Sequence, residues 1–204
     1  MAVLINPKID ALLEATSRSF YPTLKYLPKK IRGQIGLLYL LARVADTIAD
    51  SKHGESEVLL NLLKDYNDVA QGRSSKLPDF TEIALIQTNE NEAELLRNVS
   101  DVVEGLEVYR KEDRVLILEC LEIIVGGQIL DLERFGTAKD GGSISALSSE
   151  EELDDYAFRV AGCVGVFWSK MSLSHLISLS PEKEEEFLAK GIRFGKALQM
   201  INIL

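Results

Sequence analysis

Four residues in the segment Gln34–Asp50, QIGLLYLLARVADTIAD, have types and spacing that can do chemistry: Tyr39, Arg43, Asp46 and Asp50. At 100° per residue they fall within about a 60° arc, so the two carboxylates lie one turn apart on a shared stripe. The other positions are mostly Leu, Ala, Val and Ile at nearly every angle, the pattern of a helix buried all round. A carboxylate buried without a partner is costly or neutralises itself, and Asp50, near the carboxyl end, also meets the unfavourable end of the helix dipole. A cation must compensate. One candidate is Arg43 itself, a buried arginine serving two acids. The other is a divalent metal. Mg²⁺ prefers oxygen ligands, keeps several waters and is commonly shared between one or two carboxylates and substrate phosphates, with Tyr39 and Arg43 then flanking the phosphate oxygens.

Three further segments carry polar or small residues at helical spacing. In the run from Tyr156 to Gly165, Ala161, Gly162 and Gly165 remove bulk from an apolar helix, which suits either a ligand chain or a close helix crossing. In GGQILDL, Gly126–Leu132, Gln128 and Asp131 share a face, as a solvated or capping pair or as part of a site. In GKALQMINIL at the end, Gln199 and Asn202 are neighbours one turn apart. His53 and His175 stand alone, and no His or Cys cluster has metal-ligand spacing. No GxGxxG follows a strand, so no Rossmann nucleotide site is expected.

The elements that must position these residues are helices. Apolar residues recur at helical spacing almost throughout, without strict alternation bounded by hairpin signals, which predicts one all-α domain over residues 1–204. Helices are expected over Pro7–Thr16, Lys29–Asp50, Ser56–Gln71, Glu92–Tyr109, Asp113–Phe135, Ser149–Leu179 and Pro181 to the end. Pro28 opens the second, Ser149 with Glu152 forms a capping-box pattern, and Pro181 suits a first turn. Gly72–Asp79 reads as a plain connection and Gly136–Ser148, GTAKDGGSISALS, as a loop that could act as a lid. The composition, 46% hydrophobic and 27% charged, is that of a folding chain, and a net charge of -9 argues against nucleic acid or an anionic membrane as a partner held by bulk charge. Cys120 and Cys163, both in apolar runs, read as buried thiols in a reducing compartment. No leader pattern and no run of about 18 apolar residues is present, so a cytoplasmic place is expected, with at most peripheral membrane contact for product release.

Taken together these segments resemble the squalene/phytoene synthase family. RVADTIAD matches its first aspartate-rich motif, DxxxD with an arginine three residues ahead, and SRSFYPTLKYLP looks like its Ser-x-Ser-Phe segment. Tyr156 and VAGCVG match its Tyr-x-x-x-Val-Ala-Gly-x-Val-Gly signature, the most specific of the motifs, and GGQILDL and GKALQMINIL resemble its later helices. The VAGCVGVFW neighbourhood looks closer to squalene-type than to phytoene-type members. The resemblance implies an isoprenoid synthase-type bundle around a central prenyl cavity. It implies Mg²⁺ on Asp46 and Asp50, catalytic roles for Arg43 and Tyr156, and substrate contacts from Ser17, Ser19, Phe20, Tyr39, Gln128, Val160, Ala161, Gly165, Gln199 and Asn202.

The implied reaction joins two prenyl diphosphates, farnesyl or geranylgeranyl, head to head through a cyclopropyl diphosphate, with NADPH used by squalene-forming members. Phe20, Tyr39, Tyr156, Phe158, Phe167 and Trp168 are candidates to line the cavity, since ring faces attract cations. Either the diphosphate or Tyr156 would take the proton. The chain stops at Leu204, before the Arg-Asp and second DxxxD that the family carries. The expectation is therefore a chain lacking the last helices, which self-associates and does not turn over alone. The rival readings are a head-to-tail prenyltransferase or terpene cyclase, a family member acting without catalysis as an assembly or binding protein, and a plain helical scaffold.

Overall fold

The pattern that makes Lys29–Ala49 apolar on every side is explained by its surroundings. In the computed structural model, which describes residues 5–17, 20–51, 56–139 and 146–203 and only the backbone of 136–139, this helix is the central one. The helices are α1 (Pro7–Ser17), α2 (Phe20–Tyr26), α3 (Lys29–Ala49), α4 (Ser56–Ala70), α5 (Thr81–Leu85), α6 (Glu90–Arg97), α7 (Val99–Glu104), α8 (Lys111–Lys139), α9 (Glu150–Ala157), α10 (Cys163–His175) and α11 (Pro181–Ile203). A 3₁₀ turn, Gly105–Val108, precedes α8, and a π turn, Phe158–Gly162, joins α9 to α10. No strand occurs among the described residues, and the fold is all-α. α3 touches α1, α2, α4, α6, α7, α8 and α10, which leaves Leu37, Leu40, Leu41, Val44, Ala45 and Ile48 without solvent contact.

Local signals set the ends. Pro28 stands at the N-cap of α3 and Pro181 opens α11. Ser149 caps α9 by accepting from the Glu152 N–H, while the Glu152 carboxylate accepts from the N–H and hydroxyl of Ser148, one residue earlier than a capping box requires. Tyr66, fully buried in α4, donates its hydroxyl to the Leu41 carbonyl at 2.8 Å. Tyr66→Phe is expected to lower stability by about 1 kcal/mol in denaturant titration, the net worth of one buried hydrogen bond and the carbonyl it leaves unpaired.

Several expected boundaries move. The helix expected over Glu92–Tyr109 is three pieces, because Asn98 turns its side-chain amide back onto the Glu94 carbonyl and carboxylate and ends α6 there. The expected Ser149–Leu179 helix ends at His175 and is interrupted by the π turn, while α8 continues past Phe135 to Lys139. The short α2 and α5 have no periodicity long enough to mark them. Residues 140–145, the middle of the expected lid, lie outside the described residues.

His175 does not stand alone. Its Nε2 lies 2.9 Å from an Oδ of Asp113, a buried carboxylate that also accepts from Gln34 at 3.0 Å and Arg110 at 2.9 Å and so ties α10, α3 and the start of α8 together. His53 is outside the described residues. Cys120 and Cys163 are buried free thiols on α8 and α10. No helix among the described residues is long and apolar enough to cross a membrane. The outer side of α11 exposes Phe194, Leu198 and Ile201 at helical spacing.

Candidate active site

A cavity of about 690 Å³ lies beside α3. Ile35, Leu38, Ala42 and Ala49 of α3, Ile124, Leu132 and Phe135 of α8, and Val160, Val164, Phe167 and Trp168 form its apolar wall, with Phe20 and Ile203 contributing from α2 and α11. Its polar groups are Tyr39, Asp46 and Asp50 of α3, Gln128 and Asp131 of α8, and Tyr156 of α9. Along the α3 axis, Ile35 and Asp46 are separated by about 16 Å at 1.5 Å per residue, so the cavity is long as well as apolar. Residues 156, 160, 164 and 168 keep one face although steps of four drift by 40° each in an α-helix; the wider π turn between them takes back part of that drift.

Asp46 accepts a hydrogen bond from the Gln128 amide. Burial pushes its carboxyl up to about 6, Asp50 adds to the rise, and Arg43 and the Gln128 bond oppose it. Asp50 caps the end of α3, its N–H donating to the Asp46 carbonyl at 2.8 Å, and its side chain is exposed because the helix stops there. The pair is thus one enclosed acid and one solvated acid. Arg43 is not their partner: its Nη2 donates to Glu92 at 2.5 Å, and among the described residues neither Asp46 nor Asp50 has an ion pair.

Asp131, which its spacing left between a capping role and a site role, lines the cavity; burial raises its carboxyl and Arg134 opposes that, and Oδ1 is buried without a partner among the described residues. Tyr156 is raised by burial, then by Asp131, against a hydrogen bond from Gln199.

The other expected residues fall in different places. Phe20 and Tyr39 stack with centroids 5.0 Å apart, and the Tyr39 hydroxyl donates to the Thr16 carbonyl at 3.2 Å. Ser17 is buried away from the cavity, its hydroxyl on the Leu13 carbonyl at 2.5 Å, and Ser19 lies outside the described residues. Val160 lines the cavity, whereas Ala161 and Gly165 do not. They sit in the crossing with α11, where the Gly165 Cα faces the Gly191 carbonyl and the Ala161 carbonyl faces Gly195, so the space cleared by these small residues holds a helix backbone. Gln199 is buried beside Tyr156, and Asn202 is exposed.

Behind the acid pair is a smaller polar chamber of about 170 Å³, lined by Arg43, Asp46, Thr47, Asp50, Ile86, Gln87, Thr88 and Glu92. Gln87, Thr88 and Glu92 were missed in the sequence because nothing local marks them: they come from the α5–α6 region and meet α3 only on folding.

The described residues include no group of three or more His, Cys, Asp or Glu side chains arranged for a metal. Two acidic oxygen donors one turn apart and without an ion-pair partner among the described residues nonetheless fit Mg²⁺, which uses few protein ligands when phosphate and water complete its shell. They contain no strand and glycine turn for a dinucleotide, and no residue is assigned to NADPH.

The geometry defines an all-α protein with a long apolar cavity that ends on paired carboxylates. The chain belongs to the squalene/phytoene synthase family, whose model matches residues 13–204. It is 27% identical over 198 residues to the bifunctional lycopene cyclase/phytoene synthase of Gibberella fujikuroi, covering 95% of this chain and 31% of that protein. It is likewise 27% identical over 205 residues to the squalene synthase of Eremothecium gossypii, covering 95% of this chain and 41% of that one. A solved complex of TcSQS with the ligand E5700 shares the fold, with a TM-score of 0.71 at 21% identity over 96% of this chain and 52% of that chain. The chain therefore spans about a third to two fifths of these curated relatives and about half of the solved one.

Proposed function

We propose that the chain binds a prenyl diphosphate, farnesyl diphosphate above all, with its hydrocarbon in the apolar cavity and its diphosphate at Asp46 and Asp50, for head-to-head condensation of two such molecules through a cyclopropyl diphosphate. The observation that carries this reading is a long apolar cavity whose polar end is an acid pair with no ion-pair partner among the described residues. Mg²⁺ held by Asp46 and Asp50 would supply Lewis-acid stabilisation of the leaving diphosphate. Gln128 orients the Asp46 carboxylate towards that task, and Arg43 adds positive charge beside it. The rings of Phe20, Phe167 and Trp168 give a wall that excludes water and attracts positive charge, by about 0.5–2 kcal/mol for a well-placed ring. Tyr156, raised by burial, serves as a hydrogen-bonding group beside the cavity.

Titration calorimetry with Mg²⁺ and a non-hydrolysable farnesyl diphosphate analogue tests this. Each ligand is expected to tighten binding of the other, because neither two carboxylates nor an apolar cavity satisfies the other's charge. Tight Mg²⁺ binding without the analogue, or analogue binding indifferent to a chelator, would refute the reading.

A further inference from the structure

Asp46 stands three residues beyond Arg43 on α3, a spacing at which helical side chains meet. A guanidinium left to itself there would close on the carboxylate and occupy the place of a metal. In the structure its ion pair is made instead with Glu92, across the gap between α3 and α6, with both side chains only partly exposed, at 30% and 21%, and no ion pair joins it to Asp46, although its charge still acts on that carboxyl. Glu92 is well held for this. It lies in the first turn of α6, where the helix dipole favours a carboxylate, and Asn89 caps that helix by accepting from the Asn91 N–H at 3.0 Å. α6 in turn packs on α1 and α3. Glu92 does not join Asp46 and Asp50 as a third metal-ligating group. It shares with them the walls of the small polar chamber, and Thr47 fixes the backbone there by donating to the Arg43 carbonyl at 2.8 Å.

We infer that Glu92 is a positioning residue: it holds the Arg43 guanidinium away from Asp46, so that the acid pair stays open to a hydrated divalent cation while the guanidinium faces the chamber beside it. This rests on Asp46 and Asp50 being the cation-holding pair. Glu92 acts through Arg43, and that dependence separates it from a ligand or a purely structural residue.

The test is a double-mutant cycle read by electron paramagnetic resonance of Mn²⁺ titrated into the full chain with inorganic pyrophosphate, with circular dichroism confirming the fold of each variant. Glu92→Gln keeps the shape and an acceptor oxygen but loses the charge; it should weaken Mn²⁺ binding about tenfold. In an Arg43→Gln background the same change should have no effect. Glu92→Asp, which keeps the charge and loses reach, should also weaken binding, and it replaces Glu92→Gln in the cycle if that variant fails to fold. An effect of Glu92→Gln that persists without Arg43, unchanged or tighter binding in the single variant, or unfolding of both Glu92 variants would overturn the inference while leaving the acid pair's role intact. Absence of Mn²⁺–pyrophosphate binding in the unaltered protein would instead remove the reading of the acid pair, and this inference with it.

Discussion

Asp46→Asn is expected to make the protein more stable and at the same time a poorer binder of magnesium with diphosphate. In the unfolded chain Asp46 ionises above its ordinary value of 3.8, whereas in the folded chain, mainly because of burial, it does so only above about 6. Below 3.8 both states hold the proton and the side chain costs nothing electrostatically. As pH rises from 3.8 through 6 the unfolded chain sheds the proton that the folded chain keeps, so stability is lost, and at pH 7 the whole cost, about 3 kcal/mol, is present. Asparagine cannot ionise and retains an oxygen to accept from Gln128. Its melting temperature should therefore match the unaltered protein near pH 4 and exceed it increasingly towards pH 7. Magnesium-dependent diphosphate binding should fall about a hundredfold, since a neutral amide replaces a ligating carboxylate. In the unaltered protein the same binding should weaken as pH falls through 6, because the proton competes with the metal for Asp46. Calorimetry and thermal melts at pH 4, 6 and 7 read both effects; loss of stability at pH 7, or undiminished binding, would exclude this account of the acid.

A second large effect is expected at the crossing of α10 and α11. A Cβ on Gly165 would stand 2.0 Å from the Gly191 carbonyl oxygen and 2.6 Å from its carbon, and one on Gly195 would stand 2.2 Å from the Ala161 carbonyl oxygen. These are backbone atoms, so no side-chain rotation relieves the clash and the helices must part. Gly165→Ala should cost about 3 kcal/mol and lower the melting temperature by roughly 10 °C. It should also loosen ligand binding, because α11 carries Gln199 against Tyr156. Gly126→Ala is the control: its Cβ would meet only the end of the Arg159 side chain, at 3.6 Å, and the helix gains propensity, so stability should hold or rise by up to about 1 kcal/mol. Equal melting of Gly165→Ala and the unaltered protein would show that the helices can separate freely there.

The sequence by itself determined the all-α class, most of the long helices and the stripe of Arg43, Asp46 and Asp50, because helical periodicity and the spacing of residues on one helix are local properties of the chain. The same local logic left the small residues at Ala161 and Gly165 suited to a ligand or to a helix crossing, and left Gln128 with Asp131 suited to solvent or to a site. Only the packing of α8, α10 and α11 decided these, bringing Gln128 and Asp131 to the cavity and Gly165 to a neighbouring backbone. Spacing likewise offered Arg43 as the partner of the acids, whereas the structure pairs it with Glu92, forty-nine residues on. Short-range geometry sets which side chains share a face, but the choice of an ion-pair partner or of what fills a cleared space depends on groups that only folding brings near.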